Sequence, residues 1–272
     1  MEHRQKVAEQ ERLDKIVEIL SSVKKIVKED SEQKYPLFLS IKENFVAKLL
    51  QQVMVEKKKS LVISITGESA SGKTTFVQNA IKTYPSSNKG GIYTTINCDD
   101  YYLDWSKELA EAGSYEELFK EGYSFDTPNA IDLYLMREHL LKLKQGEQVR
   151  APLYDFVTCA SQKDAVLKKT ALLILNEGLF VLDDKLADVS DVKVYIYTPF
   201  ELIKERWYKR AGSRGKTGKA ADMQFEAVNK AADLYIRPTQ QKADVILNGQ
   251  VDPEYISFII QKIFHKIKMI TG

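Results

Sequence analysis

Cysteine is scarce in this chain of 272 residues, which contains only Cys98 and Cys159 and no C-x-x-C motif. A disulfide framework and a structural zinc site are therefore not expected. No apolar run approaches the roughly 18 residues that a membrane-spanning helix needs. The charged first ten residues also lack the apolar core of an export signal. The sequence is thus typical of a reduced, cytoplasmic protein that contacts no membrane.

A large excess of charge is also missing. The chain has 40 Lys and Arg against 38 Asp and Glu residues, a formal net charge of +2, so no strong field attracts nucleic acid. Glycine (13) and proline (7) are too few for a collagen-like or low-complexity chain. Because 44% of the residues are hydrophobic, the chain can form a large core, and we expect one domain with an appendage.

Residues 1–60 differ from the rest because they contain no glycine and a single proline. We interpret them as an N-terminal helical extension of a domain at 61–272. Apolar residues at 3-4-3-4 spacing predict one helix that packs on the body or on a second subunit. They are Leu13, Ile16, Leu20, Val23 and Val27. Ser40 is the predicted N-cap of a second helix that runs through Gln52.

Strand-like and helix-like segments alternate after residue 60, which indicates a mostly parallel sheet with helices on both faces. The strand-like runs are 61–66, 92–97, 171–176, 192–198 and 243–247. The helical patterns are 74–83, 132–144, 200–210 and 222–236, followed by a last helix from Asp252-Pro253. The predicted fold class is therefore α/β, a three-layer sandwich around a five-stranded parallel sheet.

A phosphate-binding loop follows the first of these strands. Residues 67–74 read G-E-S-A-S-G-K-T and fit the pattern G-x-x-x-x-G-K-[ST] between a strand and a helix. Its backbone N–H groups and the helix N-terminus direct partial positive charge at phosphate oxygens. Lys73 is expected to reach the β- and γ-phosphates of ATP, and the Thr74 hydroxyl to ligate Mg²⁺. The predicted nucleotide-binding residues are Gly67, Ser69, Ala70, Ser71, Gly72, Lys73, Thr74 and Thr75.

Two further strands end in carboxylates. Asp99 and Asp100 follow the run at 92–97, and Glu177 follows the run at 171–176. Since ligands bind beyond the carboxyl ends of strands in open α/β sheets, these side chains should face the phosphate loop. A carboxylate there can take the proton of an attacking alcohol, and Glu177 can lie near Mg²⁺ or its waters. The alternatives are a polar capping loop at 99–100 and an ordinary strand end at Glu177.

Arginines and aromatic residues complete the candidate site. Arg206, Arg210 and Arg214 recur every four residues. Beside a phosphate loop they predict a lid at 206–220 that clamps phosphates, although a solvated basic helix face has the same pattern. Six aromatic side chains near the predicted acceptor site suit a flat base, or else form ordinary core. They are Tyr101, Tyr102, Tyr123, Phe125, Tyr154 and Phe156.

These segments, taken in order, resemble the uridine kinase/phosphoribulokinase family of P-loop kinases, most closely its uridine kinase branch. The matching blocks are the phosphate loop, D-D-Y-Y at 99–102, F-D-T-P-N-A-I-D at 125–132, P-L-Y-D-F at 152–156, E-G at 177–178, the lid arginines, and Y-I-R-P-T at 235–239. The resemblance implies that Asp99 is the catalytic base and that Asp126 holds ribose hydroxyls. Its implied catalytic residues are Asp99, Lys73, Arg210 and Arg214, and its implied metal ligands are Thr74 and Glu177.

Several positions depart from that pattern: in addition to those named next, Asp100 stands where the family usually has Ser, Ala211 where it has Asp, and Lys216 where it has Arg. Cys159 and Ser161 stand where nucleoside kinases usually have the His and Arg that help to read a pyrimidine, and Trp207 replaces a lid arginine. A thiol is a weaker hydrogen-bonding group than an imidazole, so recognition of the base is the part of the resemblance that these changes affect. The predicted substrate-binding residues are Tyr102, Phe125, Asp126, Tyr154, Phe156, Cys159 and Arg210.

The sequence therefore predicts a P-loop NTPase fold and ATP- and Mg²⁺-dependent phosphorylation of a hydroxyl on a small molecule. The 5′-hydroxyl of uridine, cytidine or a related nucleoside is the first expectation. One alternative is a kinase of the same family that acts on a sugar, a pantothenate-like or a glycerate-like acceptor. Another is a nucleotide-binding regulatory protein with weak transfer activity. The resemblance also implies a homo-oligomer.

Overall fold

A computed structural model of the chain describes residues 2–54, 60–84, 86–89 and 91–271. In chain order the strands are β1 Phe38–Ile41, β2 Leu61–Gly67, β3 Tyr93–Asn97, β4 Val149–Asp155, β5 Ala160–Lys168, β6 Leu173–Glu177, β7 Val192–Tyr197 and β8 Val245–Asn248. The helices are α1 Glu2–Ser31, α2 Phe45–Met54, α3 Lys73–Ile81, α4 Ser106–Ala112, α5 Tyr115–Lys120, α6 Leu133–Lys144, α7 Phe200–Ser213, α8 Gly218–Ala231 and α9 Pro253–Thr271.

The central sheet has the strand order β1-β8-β7-β2-β6-β3. Strands β8, β7, β2, β6 and β3 are parallel neighbours, which confirms the predicted five-stranded parallel core and the α/β fold class. Strand β2 lies in the middle and is buried along nearly all of its length. Such burial on both faces explains why it is a continuous apolar run rather than an alternating one.

Helices cover both faces of this sheet. On one face, Val62 and Ile174 belong to the same buried cluster as Met136 and Leu140 of α6. On the other face, Ile65 belongs to a cluster with residues of α3 and α9. Neighbouring strand residues point to opposite faces, and the resulting three layers are the predicted sandwich.

The N-terminal region differs from its prediction in two ways. Ser40 does not cap a helix: it lies in β1, which pairs antiparallel with β8, and the second helix begins only at Phe45. The predicted apolar stripe of α1 is also right only in part: Ile16 is buried and Leu20 and Val23 pack in its cluster, whereas Leu13 is 46% exposed and the buried face includes Ile19 and Ile26 instead. This buried face of α1 packs against α9 and α2.

Asp30 fastens this region to the body. Its side chain is buried, and its two carboxylate oxygens accept hydrogen bonds from the backbone N–H groups of Leu37 and Phe38, both at 2.9 Å. The Tyr255 hydroxyl of α9 donates to the same carboxylate at 3.0 Å. A single buried anion thus holds the end of α1, the start of β1 and α9 together.

A separate antiparallel hairpin of β4 and β5 lies outside the central sheet. Sequence patterns did not predict it as strands, although part of it was singled out as the 152–156 block. The hairpin contacts the short 3-10 turn at Cys98–Tyr101, and this contact brings it to the candidate site. None of the helices within the described ranges combines the length and apolarity needed to cross a membrane.

Replacing Asp30 with Ala should lower the free energy of unfolding by about 2–4 kcal/mol, because it leaves buried N–H donors without an acceptor. Urea unfolding followed by circular dichroism measures this loss. Asp14→Asn on the exposed side of the same helix is the matched control, because Asp14 accepts an exposed hydrogen bond from Gln10 one turn away, and it should change stability by less than about 0.5 kcal/mol. Equal stabilities for both variants would contradict the assigned role.

Candidate active site

The ends of three neighbouring strands form the floor of the site. In the sheet, Ile65 of β2 pairs with Glu177 of β6, and Glu177 pairs with Asn97 of β3. The phosphate loop, Glu177 and the turn that carries Asp99 therefore leave the sheet at the same level. This arrangement confirms that the carboxyl ends of these strands meet at one edge.

Two glycines permit the close packing at this edge. A Cβ atom on Gly67 would lie 2.6 Å from the carbonyl oxygen of Ile196, and the φ of Gly67 is +153°. A Cβ atom on Gly178 would lie 2.1 Å from the Cβ atom of Cys98. Since no side chain fits at either position, Gly178 allows the Asp99 turn to pack directly against the end of β6.

Lys73 lies at the centre of the candidate site. Its Nζ atom donates hydrogen bonds to the carbonyl oxygens of Gly67 and Glu68, both at 2.9 Å. Burial lowers the pKa of Lys73 to about 8, and the nearby carboxylates of Asp99 and Glu177 act in the opposite direction. The ammonium group is thus held within the loop as the main positive charge beside two carboxylates.

Thr74 and Glu177 supply oxygen atoms of the kind that Mg²⁺ prefers. The Thr74 hydroxyl donates to Glu177 Oε2 at 3.2 Å. Burial raises the pKa of Glu177, while Lys73 and the Thr74 hydroxyl lower it. The described residues contain no group of three or more His, Cys, Asp or Glu side chains that could hold a metal by itself. Thr74 and Glu177 alone would therefore not complete the coordination of Mg²⁺, and phosphate and water oxygens would supply the remaining ligands.

Asp99 lies in the 3-10 turn Cys98–Tyr101 that follows β3. Its backbone N–H donates to the Asn97 side chain at 3.1 Å, so the turn is capped by the last residue of the strand. Burial raises the pKa of Asp99, and the positive charges of Lys73, Arg210 and Arg214 lower it. A partly buried carboxylate with a raised pKa and cations around it has the properties of a general base.

A cavity of about 460 Å³ opens above these groups. Its polar part is formed by the phosphate loop with Asp99, Glu177 and Arg210, and its apolar part by Val251 and Ile256 near the start of α9. Predicted nucleotide-binding residues on its wall are Ser69, Ala70, Gly72, Lys73, Thr74 and Thr75. Gly67 and Ser71 lie behind the wall, where Gly67 accepts from Lys73 and Ser71 accepts from Thr198. The combined shape suits a nucleotide, with a charged end and an apolar end.

Helices α7 and α8 form a helical hairpin over the phosphate loop, at the predicted lid position. Arg210 donates to the Ser69 hydroxyl at 2.6 Å, and the exposed Arg214 caps the end of α7. Arg206 instead donates to the carbonyl oxygen of Gly249 at 2.9 Å. The three arginines therefore have different partners, and the lid contacts the loop directly through Arg210.

Trp207 is a core residue of the lid. It is buried in a cluster with Ala211, Ala221 and Phe225, and Ala70 of the phosphate loop packs against that cluster. Where the family pattern has an arginine, this chain thus has a ring that joins α7 to α8. Trp207 therefore supplies apolar contact between the two lid helices in place of the positive charge of an arginine.

Four of the six predicted aromatic residues form one cluster around Tyr102, which follows Asp99 by three residues. The ring of Tyr102 lies 5.3 to 5.4 Å from the rings of Phe125, Tyr154 and Phe156. The Tyr102 hydroxyl donates to the carbonyl oxygen of Phe125 at 2.9 Å. The structure therefore brings together the four aromatic residues predicted to bind the acceptor, with Tyr102 in contact with the other three.

Cys159 and Tyr154 lie at the back of this cluster. Cys159 is fully buried, and its thiol donates to the Tyr115 hydroxyl at 3.5 Å. The Tyr154 hydroxyl is buried and, among the described residues, has no hydrogen-bond partner of normal geometry. The Cys159 thiol lies beside it but is only a weak partner. Tyr154 is thus a polar group in an apolar setting.

Asp126 lies near Asp99 on the acceptor side. Burial and the negative charge of Asp99 together raise the pKa of Asp126 to about 6, and the positive charge of Lys216 in the lid opposes this rise. The two carboxylates and the aromatic cluster together could hold and deprotonate a hydroxyl group.

The comparisons with known proteins agree with this geometry. The profile of the Phosphoribulokinase / Uridine kinase family matches residues 62–254. The chain belongs to that family. The uridine kinase of Clostridium novyi is 30% identical over 207 residues, which are 75% of this chain and 94% of that protein. The uridine kinase of Staphylococcus aureus (strain JH9) is 32% identical over 193 residues, 70% of this chain and 88% of the relative.

A solved structure supports the fold alone. YFH7 from Saccharomyces cerevisiae superposes with a TM-score of 0.51 at 12% identity, covering 76% of this chain and 98% of that one. The family membership makes this protein a P-loop kinase, a phosphotransferase that acts on a hydroxyl group. The sequence analysis missed Tyr115, and it assigned no role to the side chains of Glu68 and Arg237, because Tyr115 contacts Cys159 and Glu68 contacts Arg237 from distant parts of the chain.

The raised pKa of Asp126 predicts a pH-dependent stability. Between about pH 4, where an unfolded Asp titrates, and pH 6, the folded state binds more protons than the unfolded state. Asp126 therefore makes the kinase less stable as the pH rises through this window. Asp126→Asn, which cannot titrate, should gain stability relative to the unmodified protein from pH 4 to pH 7. Urea unfolding at four pH values tests this, and a stability difference that is constant with pH would contradict it.

Proposed function

We propose that this kinase transfers the γ-phosphate of ATP to the 5′-hydroxyl of uridine, cytidine or a related nucleoside. The observation that carries the proposal is the position of Asp99. Its carboxylate lines the cavity together with the phosphate loop, three residues before Tyr102 of the aromatic cluster, and it is within the electrostatic influence of Lys73 and Arg210. A base in this position can accept the proton of an alcohol as the alcohol oxygen attacks the γ-phosphate.

The residues divide into three groups in this scheme. Lys73, Arg210 and Arg214 hold negative charge on the phosphates and stabilise the charge that spreads in the transition state. Asp99 takes the proton of the acceptor hydroxyl. Asp126 and Tyr154 position the acceptor, and the rings of Tyr102, Phe125 and Phe156 provide a surface for a flat base.

Mg²⁺ fits the pair of oxygen donors on Thr74 and Glu177. When bound there with the nucleotide, it would neutralise phosphate charge. The Thr74 hydroxyl and the Glu177 carboxylate are the residues that would hold the ion or its water molecules. The cytoplasmic location and the homo-oligomeric state stay predictions.

A second candidate is a kinase of the same family that acts on a non-nucleoside acceptor. The burial of Cys159 favours it, because the position that usually reads the pyrimidine edge lies behind the cluster and bonds to Tyr115. The rings of the cluster also contact one another closely, with Tyr154 and Phe156 centroids 5.0 Å apart. A smaller acceptor would need less displacement of these rings than a nucleoside.

The first experiment measures ADP release with ATP and Mg²⁺ against a panel of acceptors. We expect uridine or cytidine to give the strongest stimulation over a blank without acceptor. Other nucleosides, pantothenate, glycerate and pentose phosphates form the rest of the panel. Stronger stimulation by one of these would replace the proposed acceptor with the second candidate. In the same assay Asp99→Asn should lower kcat by about 10²- to 10⁴-fold with whichever acceptor is used.

Asp100→Asn is the matched control for Asp99→Asn. Asp100 is adjacent but interacts with Lys168 and the backbone of Tyr154, so its neutral variant should keep most of the activity. Calorimetric ATP binding shows whether either variant has lost the nucleotide site. Full turnover by Asp99→Asn would remove the assigned base and favour a different group for that role.

Tyr154→Phe tests whether the Tyr154 hydroxyl, which is buried in the structure, contacts the acceptor. If the Tyr154 hydroxyl bonds to the acceptor, its removal should raise KM for the acceptor about three- to tenfold and leave KM for ATP unchanged. The folded protein should lose no stability, because the hydroxyl lacks a normal partner there. Tyr134→Phe, at a 71% exposed position, is the control. An unchanged KM for the acceptor would show that Tyr154 serves only the core.

A further inference from the structure

Arg237 contacts two nearby residues of its own segment and two that are distant along the chain, Glu68 and Phe200. Its Nη2 atom donates to Glu68 Oε2 at 2.7 Å and to Asn229 Oδ1 at 2.6 Å. Its Nη1 atom bonds to Asp233. The guanidinium carbon also lies 6.0 Å from the centre of the Phe200 ring, within the range of a cation–π contact. A planar fork of donors allows one side chain to make all of these contacts.

These partners belong to two parts of the site. Phe200 is the first residue of α7, and Asn229 lies in the last turn of α8, so together they mark the base of the lid hairpin. Glu68 is the second residue of the phosphate loop. Arg237 therefore joins the base of the lid to the loop that holds the nucleotide phosphates.

A carboxylate inside a phosphate-binding loop needs a partner. The side chain of Glu68 is only 12% exposed, and its charge reaches Lys73, whose pKa it raises. Unpaired, the same negative charge would repel a bound triphosphate at close range. The ion pair with Arg237 removes most of this repulsion while leaving Glu68 inside the loop.

The backbone of Glu68 is also part of the loop's structure. Its carbonyl oxygen accepts hydrogen bonds from Lys73 Nζ at 2.9 Å and from the N–H group of Ser71 at 3.0 Å. Holding the Glu68 side chain therefore fixes an acceptor of the lysine that binds phosphate. The next two loop residues, Ser69 and Ala70, contact the lid as well. Together with the Glu68–Arg237 ion pair, three consecutive residues of the phosphate loop are thus attached to the lid or its base.

We propose that Arg237 is a positioning residue for the nucleotide: it neutralises Glu68 and ties the phosphate loop to the base of the lid. Neither residue lines the cavity, so both act through the loop rather than by touching ATP. The inference rests on the proposed function, in which that loop holds the phosphates of ATP.

The test compares ATP binding by calorimetry for four forms of the full chain in the presence of Mg²⁺. Arg237→Gln should weaken ATP binding about tenfold, because Glu68 is left as an unpaired charge. Arg237→Gln combined with Glu68→Gln should restore binding to within about threefold of the unmodified kinase, because the repelling carboxylate is gone. In turnover assays the single variant should raise KM for ATP more than it lowers kcat.

Arg137→Gln is the fourth form and the matched control. Arg137 also pairs with a carboxylate, that of Asp188, at a similarly exposed position outside the site, and its variant should bind ATP normally. A double variant that binds as weakly as Arg237→Gln alone, or a single variant that binds normally, would overturn the inference.

A further variant covers the case in which Arg237→Gln fails to fold. Arg237→Lys keeps the positive charge opposite Glu68, so binding within about threefold of the unmodified kinase supports the inference and a tenfold loss overturns it. If the unmodified kinase binds no ATP, the proposed function and the inference fall together. That result differs from equal binding by all forms, which overturns the inference alone.

Discussion

The parallel register of β2, β6 and β3 is the constraint on which the rest of the site depends. It sets the phosphate loop, Glu177 and the Asp99 turn at one level of the sheet, since Glu177 pairs with a residue of each neighbouring strand. The missing side chain of Gly178 then lets the turn approach the end of β6 to contact distance. Displacing one strand by a single residue would turn these side chains to the opposite face, and the lysine, hydroxyl and carboxylates would no longer share a cavity.

The features predicted from the sequence are those encoded over short distances. The phosphate loop is a contiguous string with fixed spacing, and the strand runs before Asp99 and Glu177 are apolar enough to be recognised as buried. The parallel pairing of such strands brings their ends together by a general rule, so proximity of Lys73, Asp99 and Glu177 could be predicted without coordinates. The lid helix was predictable for the same reason, because its apolar and basic residues follow one helical period.

The features that could not be predicted from the sequence depend on contacts between residues that are distant along the chain. The four-residue strand β1 has no pattern of its own and forms because β8 offers an edge. The arginines of the lid share a spacing, yet Arg206 bonds to Gly249 and Arg210 to Ser69, which spacing cannot specify. Cys159 could be recognised as a departure from the family pattern, but its burial beside Tyr115 depends on how the β4–β5 hairpin packs. The pairing of Glu68 with Arg237 is likewise invisible to any local pattern.

Strand β1 has a consequence for the order in which the protein can be completed during its synthesis. Ser40 leaves the ribosome long before its partner Ile246 does. The apolar face of α1 with Ile19 and Ile26 must wait for α9 as well. Strand β1 therefore cannot pair until β8 has been synthesised, and the N-terminal segment remains available to chaperones or to another nascent chain for the whole of that time.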